Sequence, residues 1–351
     1  MKIVFAVGSL SGGGAERVVA EIATEMAEKG HEVSVMLVAS MENTYGVSEK
    51  VKIINCAHNY KSYGFFQRTK DIRRKIKEIN PNAFVSFTVA VNIYSVLSCI
   101  GLPVRLILAE RNDPRYDPKS KLFRIARKVL YPFADYYVFQ TEGEQQFFSK
   151  KIQNRSIVIP NPVNPNLPEV YQGERTKRFV AAVRLAPQKN LKMAIDAFKM
   201  VAEKHEEFIF EIFGHGPLEM ELKQYVVENE LQGKVVFQGN SKQLYQDIAD
   251  AYGFVMSSDY EGISNSMLEA MALGIPTIST DYPSGGAREN IVNGYNGILV
   301  PVGDTKRMAE AMELLIESPD LAKKISENSV SIREKLDVGK ITGKWIDYLE
   351  K

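Results

Sequence analysis

The chain has 351 residues, of which 45% are hydrophobic and 25% are charged, a composition typical of soluble globular proteins. This length is too great for a single ordinary hydrophobic core, so it predicts two domains. The two cysteines, Cys56 and Cys99, lack the spacing of metal ligands, which argues against a disulfide scaffold and against a zinc site.

The net charge of +1 hides an asymmetry between the two halves of the chain. Residues 1–165 hold 23 Lys and Arg against 15 Asp and Glu, whereas the remainder holds 21 against 28. A basic front half and an acidic back half predict separate domains with different partners. Since a strand begins at Lys2 and no apolar run approaches the roughly 20 residues that span a bilayer, we expect a cytoplasmic protein that can still touch a membrane surface.

Strands and helices alternate along the front half. The apolar runs predict strands at 2–7, 31–38, 83–87, 103–109 and 135–139. Helices are predicted at about 15–29, 65–79 and 119–130, with another ending near Gly101 and one starting near Thr141. This alternation indicates an α/β domain built on a parallel sheet.

Two strand exits in the front half carry residues suited to ligands. The glycine-rich loop 8–14 opens a helix, so its backbone N–H groups could meet an anion. It lacks the G-x-G-x-x-G spacing of dinucleotide sites, and a tight turn that simply needs glycine is the alternative. The polar run 110–114 leaves a later strand, where side chains of parallel sheets usually face a ligand, although a capped loop would also fit.

A proline- and asparagine-rich stretch, 160–176, indicates a linker. After it the alternation restarts, with strands at 177–183, 207–213 and 234–238 and helices at 190–204, 217–228 and about 244–250. We therefore predict two doubly wound Rossmann-like domains, 1–165 and 166–335, with the site in the cleft between them. A helix at 336–351 is expected to pack back toward the first domain.

Three loops of the second half carry polar or glycine residues. Residues 183–190 put Arg184 and Lys189 at a helix start, which suits a diphosphate. Gly214 lies in a glycine turn where a backbone could approach a ligand, and the neighbouring His215 is interpreted as an ordinary loop histidine. A further flexible polar loop is predicted at 284–289.

The stretch 252–281 predicts a strand, an acidic loop, a short helix and a second strand. Its carboxylates, Glu261 and Glu269, would lie at the carboxyl edge of a parallel sheet, where α/β proteins bind ligands. The alternative is structural. Ser266 and Glu269 fit the S-x-x-E capping box, so Glu269 would close a helix end, and Glu261 would be a solvated loop residue.

Taken together, these motifs resemble those of the retaining glycosyltransferases of family 4, which have the GT-B fold. The resemblance runs from end to end through GGGAER, the proline linker, VRLAPQKN, FGHGP and EGISNSMLEAMALGIP. The last contains the E-x7-E signature of that family. In order and in combination these motifs are highly specific, whereas any one of them alone would be weak.

The resemblance implies roles for residues of the back half and for one loop of the front half. Glu261 would bind hydroxyls of the donor sugar, Glu269 the ribose, and Arg184 with Lys189 the donor diphosphate, without a metal or other cofactor. The remaining donor contacts that it implies are Gly13, Gly14, Gly214, Gly262, Ile263 and Ser264. The site would be complete only when the cleft closes.

The chain departs from the family pattern after the strand at 103–109. Many relatives carry a histidine there that helps to position the sugar, whereas this chain has Arg111 near that place. A fixed cation holds phosphate or a developing negative charge but cannot act as a base. Asn112 or Asp113 would then face the acceptor hydroxyl.

The resemblance implies transfer of a hexose or N-acetylhexosamine from a nucleotide-diphospho-sugar, with UDP expected, to a glycan acceptor. We expect that acceptor to be polyprenyl-diphosphate-linked, as in the synthesis of capsule or lipopolysaccharide, and we expect no nucleic-acid partner. A GT-B-like sugar-nucleotide epimerase or hydrolase and a non-catalytic nucleotide-sugar-binding protein are the alternatives. A nicotinamide-dependent oxidoreductase is disfavoured because G-x-G-x-x-G is absent.

Two basic helices suggest contact with an anionic membrane. The alternative is a pair of solvated helices, since Ile72, Ile76 and Ile79 already give the first helix a core stripe. The cations concerned are Arg68, Lys70, Arg73, Arg74, Lys75 and Lys77 on the first helix and Lys119, Lys121, Arg124, Arg127 and Lys128 on the second.

Overall fold

The computed structural model describes residues 1–41, 45–56 and 64–351. The chain divides into two compact units, the first formed by residues 1–162 with 336–351 and the second by residues 163–335. Each unit is built on one parallel sheet, with helices between most of its successive strands. The predicted α/β class with two doubly wound units is confirmed.

In the described part of unit 1, seven parallel strands run in the order β3-β2-β1-β4-β5-β6-β7. The strands are β1 (Lys2–Val7), β2 (Glu32–Leu37), β3 (Lys52–Asn55), β4 (Ala83–Phe87), β5 (Arg105–Ala109), β6 (Tyr136–Phe139) and β7 (Ser156–Val158). The helices are α1 (Gly14–Glu28), α2 (Phe65–Ile79), α3 (Val89–Cys99), α4 (Lys121–Leu130), α5 (Glu142–Phe147), α6 (Lys150–Gln153) and, at the end of the chain, α14 (Val338–Glu350). A 3-10 turn, Tyr131–Phe133, follows α4.

Unit 2 repeats the same winding, with strand order β10-β9-β8-β11-β12-β13. Its strands are β8 (Thr176–Ala182), β9 (Ile209–Phe213), β10 (Val235–Gly239), β11 (Ala251–Met256), β12 (Thr277–Thr280) and β13 (Ile298–Val300). Its helices are α7 (Leu191–Ala202), α8 (Glu219–Glu228), α9 (Leu244–Ile248), α10 (Asn265–Ala272), α11 (Thr305–Glu317), α12 (Pro319–Ser329) and α13 (Ile332–Lys335). A 3-10 turn, Pro187–Lys189, precedes α7.

The central strands are apolar along their whole length because helices cover both faces of each sheet. Residues 3–7 of β1 are fully buried, and so are most of β4 and β11. The amphipathic helices supply the other half of the core, as Ile72 and Ile76 of α2 do in unit 1. No helix within the described ranges is long and apolar enough to cross a membrane.

The strand order reverses between β1 and β4 in unit 1 and between β8 and β11 in unit 2. Ligands of doubly wound sheets bind beyond the carboxyl ends of the strands at such a reversal. The loops that leave these four strands begin at Gly8, Thr88, Val183 and Ser257. Three of them are the glycine-rich, Arg-Lys and acidic loops identified in the sequence.

The helix α14 belongs to unit 1 although it ends the chain. It packs along α1, and its Trp345 is fully buried with its ring stacked on Phe87, the centroids 5.7 Å apart. The indole edge also meets Phe5 of β1. A tryptophan buried against two central strands fastens the last helix to the core of this unit.

Candidate functional site

The carboxylate of Glu261 is the centre of the strongest polar cluster at the carboxyl edge of unit 2. Its Oε1 accepts from Lys189 Nζ at 2.5 Å and from Ser258 Oγ at 2.9 Å, and its Oε2 accepts from Gln188 Nε2 at 2.9 Å. Glu261 is only 8% exposed. A carboxylate with three donors is therefore held in one orientation, with a cation as its nearest partner.

Two loops from neighbouring strands are joined to make this cluster. Asn190, in the left-handed conformation with φ 42°, donates from Nδ2 to Asp259 Oδ1 at 2.7 Å. The Asp259 backbone N–H donates to Gln188 O at 2.9 Å, and Ser257 Oγ donates to Lys189 O at 2.8 Å. These bonds fix the Pro187–Lys189 turn against the loop that carries Glu261. Asparagine tolerates the left-handed conformation that starts α7 there.

The loop 262–264 is supported from its other side by the loop 284–286. Ser284 Oγ donates to Gly262 O at 3.0 Å. A Cβ at Gly286 would lie 2.0 Å from that same oxygen, so only glycine permits this close approach. Ile263 and Ser264 are buried. The segment that follows Glu261 is therefore held in place by Ser284 and by the close approach of Gly286.

Glu269 lies on α10 and is buried. The cap of that helix is Ser264, whose Oγ accepts from Met267 N at 3.4 Å, and Ser266 lies inside the first turn. The capping box proposed for Ser266 and Glu269 is therefore wrong. The helix begins two residues earlier than that motif requires, so Glu269 stands two positions beyond the place of a capping-box glutamate.

Arg184 and Gly214 lie on adjoining loops of the same edge. Gly214 has φ +118°, and a Cβ there would lie 2.1 Å from Val183 O. Leu185 N donates to His215 O at 3.0 Å, so the two loops run side by side. The Arg184 side chain is exposed, and among the described residues it makes no ion pair within 4 Å. It is thus a solvent-facing cation on a rigid backbone. His215 contacts Glu219 at 2.7 Å.

In unit 1, Gly13 is the N-cap residue of α1 and Gly14 is its first residue. A Cβ at Gly13 would lie 1.8 Å from Glu16 Oε2, so the glycine leaves room for that carboxylate. Burial raises the pKa of Glu16, partly offset by a hydrogen bond to its own backbone. The glycine-rich turn thus already holds a carboxyl group of the protein close to a helix N-terminus.

Arg111 lies at the carboxyl end of β5 with its guanidinium turned into unit 1. Its Cζ is 4.3 Å from the centre of the Phe87 ring and 5.6 Å from that of Trp345, and its Nη1 donates to Asn161 Oδ1 at 3.1 Å. Nε and Nη2 are buried without a hydrogen-bond partner among the described residues. Burial lowers the pKa of Arg111 to about 9, with Glu144 opposing the shift, so the group remains a cation at neutral pH.

Glu110, just before it, is buried and accepts from the Tyr131 hydroxyl, which Asn92 Nδ2 in turn contacts at 2.9 Å. Burial raises the pKa of Glu110 to about 7, against the opposing charge of Arg127. This carboxyl group therefore changes its charge near neutral pH.

The next two residues shape the loop itself. Asn112 Oδ1 accepts from Asp113 N at 2.9 Å. Asp113 is fully buried and accepts from the backbone N–H of Arg115 at 2.9 Å and from its Nη1 at 2.8 Å. Its oxygens thus point into the loop rather than toward solvent. Asn112 is partly exposed.

Sequence reasoning overlooked four residues of these edges. Gln188 and Ser258 both donate hydrogen bonds to Glu261. The only sequence signal for either of them was that Gln188 directly precedes Lys189. Asn190 gave a weak signal, since asparagine often adopts the left-handed conformation. Thr88 gave none, because its φ of 75° is visible only in the backbone. A β-branched residue with positive φ at a strand reversal is strained, as residues near binding sites often are.

The structure brings Lys189, Glu261 and the 262–264 loop together in unit 2, with Glu269 following on α10. Gly13, Gly14 and residues 111–113 belong to unit 1. In the ranges that the structure describes, no group of three or more His, Cys, Asp or Glu side chains is placed to hold a metal ion.

Comparison with known protein families gives one match in each half of the chain. The family model for glycosyl transferases group 1 matches residues 166–331, and that for glycosyltransferase family 4 matches residues 12–167. The structure of HepE of Anabaena, solved in complex with UDP and glucose, is similar to this one at a TM-score of 0.85 and 20% identity, and the match covers 100% of both chains. That likeness shows the GT-B fold.

Two curated relatives come from Campylobacter jejuni serotype O:2. One is the GalNAc-alpha-(1->4)-GalNAc-alpha-(1->3)-diNAcBac-PP-undecaprenol alpha-1,4-N-acetyl-D-galactosaminyltransferase, 27% identical over 99% of this chain and 98% of its own. The other is the N-acetylgalactosamine-N,N'-diacetylbacillosaminyl-diphospho-undecaprenol 4-alpha-N-acetylgalactosaminyltransferase, 25% identical over 99% of both chains. With both family models matched in sequence and both units wound as they require, the chain belongs to the group 1, family 4 glycosyltransferases of GT-B fold.

Proposed function

We propose that this glycosyltransferase moves a hexose or N-acetylhexosamine from a UDP-sugar to a polyprenyl-diphosphate-linked glycan, with retention of anomeric configuration and without a metal. The reaction would serve the synthesis of a cell-surface polysaccharide such as capsule or lipopolysaccharide. It would take place on the cytoplasmic side of the membrane, with the enzyme in peripheral contact with anionic lipid.

The contact between Lys189 and Glu261 carries this proposal. It places a cation and an oriented carboxylate side by side at the strand reversal of unit 2, where a doubly wound sheet binds its ligand. The cation suits the donor diphosphate, and the carboxylate suits the sugar hydroxyls. Gln188 and Ser258 keep Glu261 in place when Lys189 turns toward phosphate. Glu269, behind it on α10, takes the ribose hydroxyls.

The leaving nucleotide diphosphate gathers negative charge as its bond to the sugar breaks. Arg184, exposed on the adjoining loop, and Lys189 hold that charge. The backbone amides of 262–264 donate to the same phosphates in this proposal. Charges placed where negative charge develops are usually the largest contribution to such catalysis. The acceptor hydroxyl forms its bond to the sugar on the face that the diphosphate leaves and passes its proton to the departing diphosphate, so the anomeric configuration is retained.

The acceptor assignment draws on the two Campylobacter relatives, whose names specify undecaprenol-linked glycans and which match almost the whole of this chain. The UDP assignment draws on HepE, solved with UDP. In unit 1 we assign the acceptor side to Asn112, which is partly exposed. The Arg111 guanidinium packs on two aromatic rings and Asp113 is fully buried, so neither side chain faces outward.

The test is a screen of UDP- and GDP-sugars for nucleotide release, with and without polyprenyl-diphosphate-linked glycans, followed by determination of the anomeric configuration of the product. We expect acceptor-dependent UDP release that survives metal chelation. Lys189→Ala should lower turnover by about 10²-fold or more, on the scale of one lost charge contact. Lys192→Ala, which removes a solvated lysine three residues later, is the matched control.

Near-wild-type turnover in Lys189→Ala would refute the role of that residue. UDP release that does not require an acceptor would instead favour a hydrolase or epimerase. Loss of activity on chelation would show that the two cations are insufficient for the diphosphate.

A further inference from the structure

The helix α4 of unit 1 exposes its apolar side. Leu122, Ile125 and Val129 are 71%, 62% and 58% exposed, and Phe133 in the following 3-10 turn is 66% exposed. Their spacing of three and four residues places them along one stripe, which we call the apolar ridge. A surface helix of a soluble protein normally turns such a stripe toward the core.

An arginine occupies the inward side instead. Arg127 is buried, and its guanidinium donates to Asp117 O at 2.8 Å and to Pro114 O at 2.7 Å. It also lies 5.1 Å from the centre of the Phe147 ring and 5.6 Å from that of Phe148. These contacts fix which side of α4 faces the protein, so the exposure of the apolar ridge is built into the packing.

The surroundings of the apolar ridge are basic and lack compensating acids. Between Asp117 and Asp135 the sequence has no acidic residue. Lys121 and Lys128 are exposed, and neither forms an ion pair within 4 Å in the described part of the chain. Arg124 is committed to backbone carbonyls of the preceding loop. Both lysines lie along the side of α4 next to the apolar ridge.

The other basic helix, α2, is different, although the two look alike in sequence. Arg74 pairs with Asp71 at 2.8 Å, and Lys75 pairs with Glu78 at 2.6 Å. Arg73 donates to two backbone carbonyls. Much of the positive charge of α2 is therefore neutralised within the helix or used in packing. Lys70 and Lys77 remain exposed, but the exposed apolar side chains of α2, Phe65 and Phe66, lie in its first turn only. Of these two basic helices, α4 is the one whose outward apolar stripe runs along its length beside its exposed lysines.

We infer that α4 is the membrane-docking element of this enzyme, with the apolar ridge inserted among lipid chains and Lys121 and Lys128 on the phosphates of anionic lipid. Amphipathic helices that lie in a membrane interface have this pairing of apolar and basic sides. The inference deepens the membrane contact of the proposed function and rests on it.

A second copy of the chain is a poorer occupant of the same surface. In a two-fold symmetric contact the same surface meets itself, so the apolar ridges would bring Lys121 and Lys128 of both copies together with no acid on α4 to offset them. The location also favours lipid. The loop 110–120 runs from the carboxyl edge of the sheet into the start of α4, so docking would hold that edge close to a lipid-linked glycan.

The test is co-sedimentation of the full chain with vesicles of phosphatidylglycerol and phosphatidylcholine, compared with pure phosphatidylcholine, at low and high salt. The wild type should bind the anionic vesicles at low salt. Leu122→Ser/Ile125→Ser/Val129→Ser should weaken binding about tenfold or more. Lys121→Gln and Lys128→Gln should each weaken it about fivefold. The melting temperature of each variant should match the wild type, since all five side chains are exposed.

Two matched control variants test whether the effect depends on changing α4 rather than on losing exposed apolar or basic side chains in general. Met220→Ser/Val227→Ser removes two exposed apolar side chains from α8 of unit 2, and Lys70→Gln/Lys77→Gln removes two exposed charges from α2. Neither should change vesicle binding by more than about twofold, because neither helix combines both features.

No binding of the wild type to anionic vesicles at low salt would overturn the inference. So would unchanged binding in the serine variant, or a change in that variant only of self-association in analytical ultracentrifugation. Turnover on a short-chain, water-soluble acceptor should be the same in the serine variant and the wild type. Vesicle binding without any sugar transfer would sink the proposed function while leaving the docking element in place.

Discussion

The contact between Lys189 and Glu261 predicts a separation of stability from activity. The two side chains are 16% and 11% exposed, so the pair is largely shielded from water. In Lys189→Met the Glu261 carboxylate keeps Gln188 and Ser258 but loses its cation. Removing one partner of a buried pair costs about 3–5 kcal/mol. Two surviving charge-assisted hydrogen bonds reduce this to about 2–3 kcal/mol.

For a unit of this size, 2–3 kcal/mol lowers the melting temperature by about 5–10 °C. The double variant Lys189→Met/Glu261→Gln removes both charges and should recover most of the loss, because the Gln side chain can still pair with Gln188 and with Ser258, which accepts as well as donates. Turnover should not recover, since the diphosphate still lacks its cation. Urea unfolding and nucleotide release, measured on the same preparations, give both quantities.

A surface pair supplies the control. Lys192 lies 2.7 Å from Glu221, but their side chains are 44% and 55% exposed, so Lys192→Met should change stability by less than about 1 kcal/mol. A Lys189→Met variant as stable as the wild type would refute the reasoning from burial. Recovery of turnover in the double variant would show that Lys189 acts only by holding Glu261.

Three further predictions concern the loops and the buried groups. Gly286→Ala puts a Cβ 2.0 Å from Gly262 O, so UDP binding should weaken about tenfold or more in calorimetry, while Gly343→Ala, in open space on α14, should have no effect. Glu110 has a pKa raised to about 7 by burial, so its stabilising contribution is complete below about pH 4.5 and is lost as the pH rises through 7. Glu110→Gln should therefore gain on the order of 3 kcal/mol at pH 8 and little at pH 5 in urea unfolding; equal gains would contradict this. Trp345→Ala should cost about 3–5 kcal/mol, measured by thermal unfolding, because the indole is fully buried against two strands.

The central strands could be predicted from the sequence because their apolar runs are long and end in clear turn signals. The strands that were missed, β3, β7 and β13, have three or four residues each. A run that short carries little periodicity, and these strands exist because each pairs along an established neighbour, as β13 does with β12. They depend on the rest of the sheet rather than on their own sequence.

The error at α10 has a local cause. Ser264 and Ser266 both stand before a helical pattern, and each has a plausible partner three residues later. The sequence motif favoured Ser266 because a glutamate follows at the required spacing. The structure uses Ser264 because the loop 262–264, held by Gly286 and Ser284, already directs the chain into the helix at that residue. Contacts from the loop 284–286 thus determine that Ser264 rather than Ser266 caps the helix.

The position of the Arg111 side chain could not be predicted from the neighbouring sequence. Its position after β5 indicates a side chain that faces a ligand, but its guanidinium lies between Phe87 and Trp345, and the second ring comes from the last helix of the chain. Aromatic faces attract the cation without satisfying its N–H groups, which is why Nε and Nη2 remain without hydrogen bonds in the described structure. The same stacking ties α14 to the carboxyl edge of unit 1. A substitution at Arg111 therefore disturbs the packing of that helix, so any effect of the substitution on turnover has to be measured together with its effect on stability.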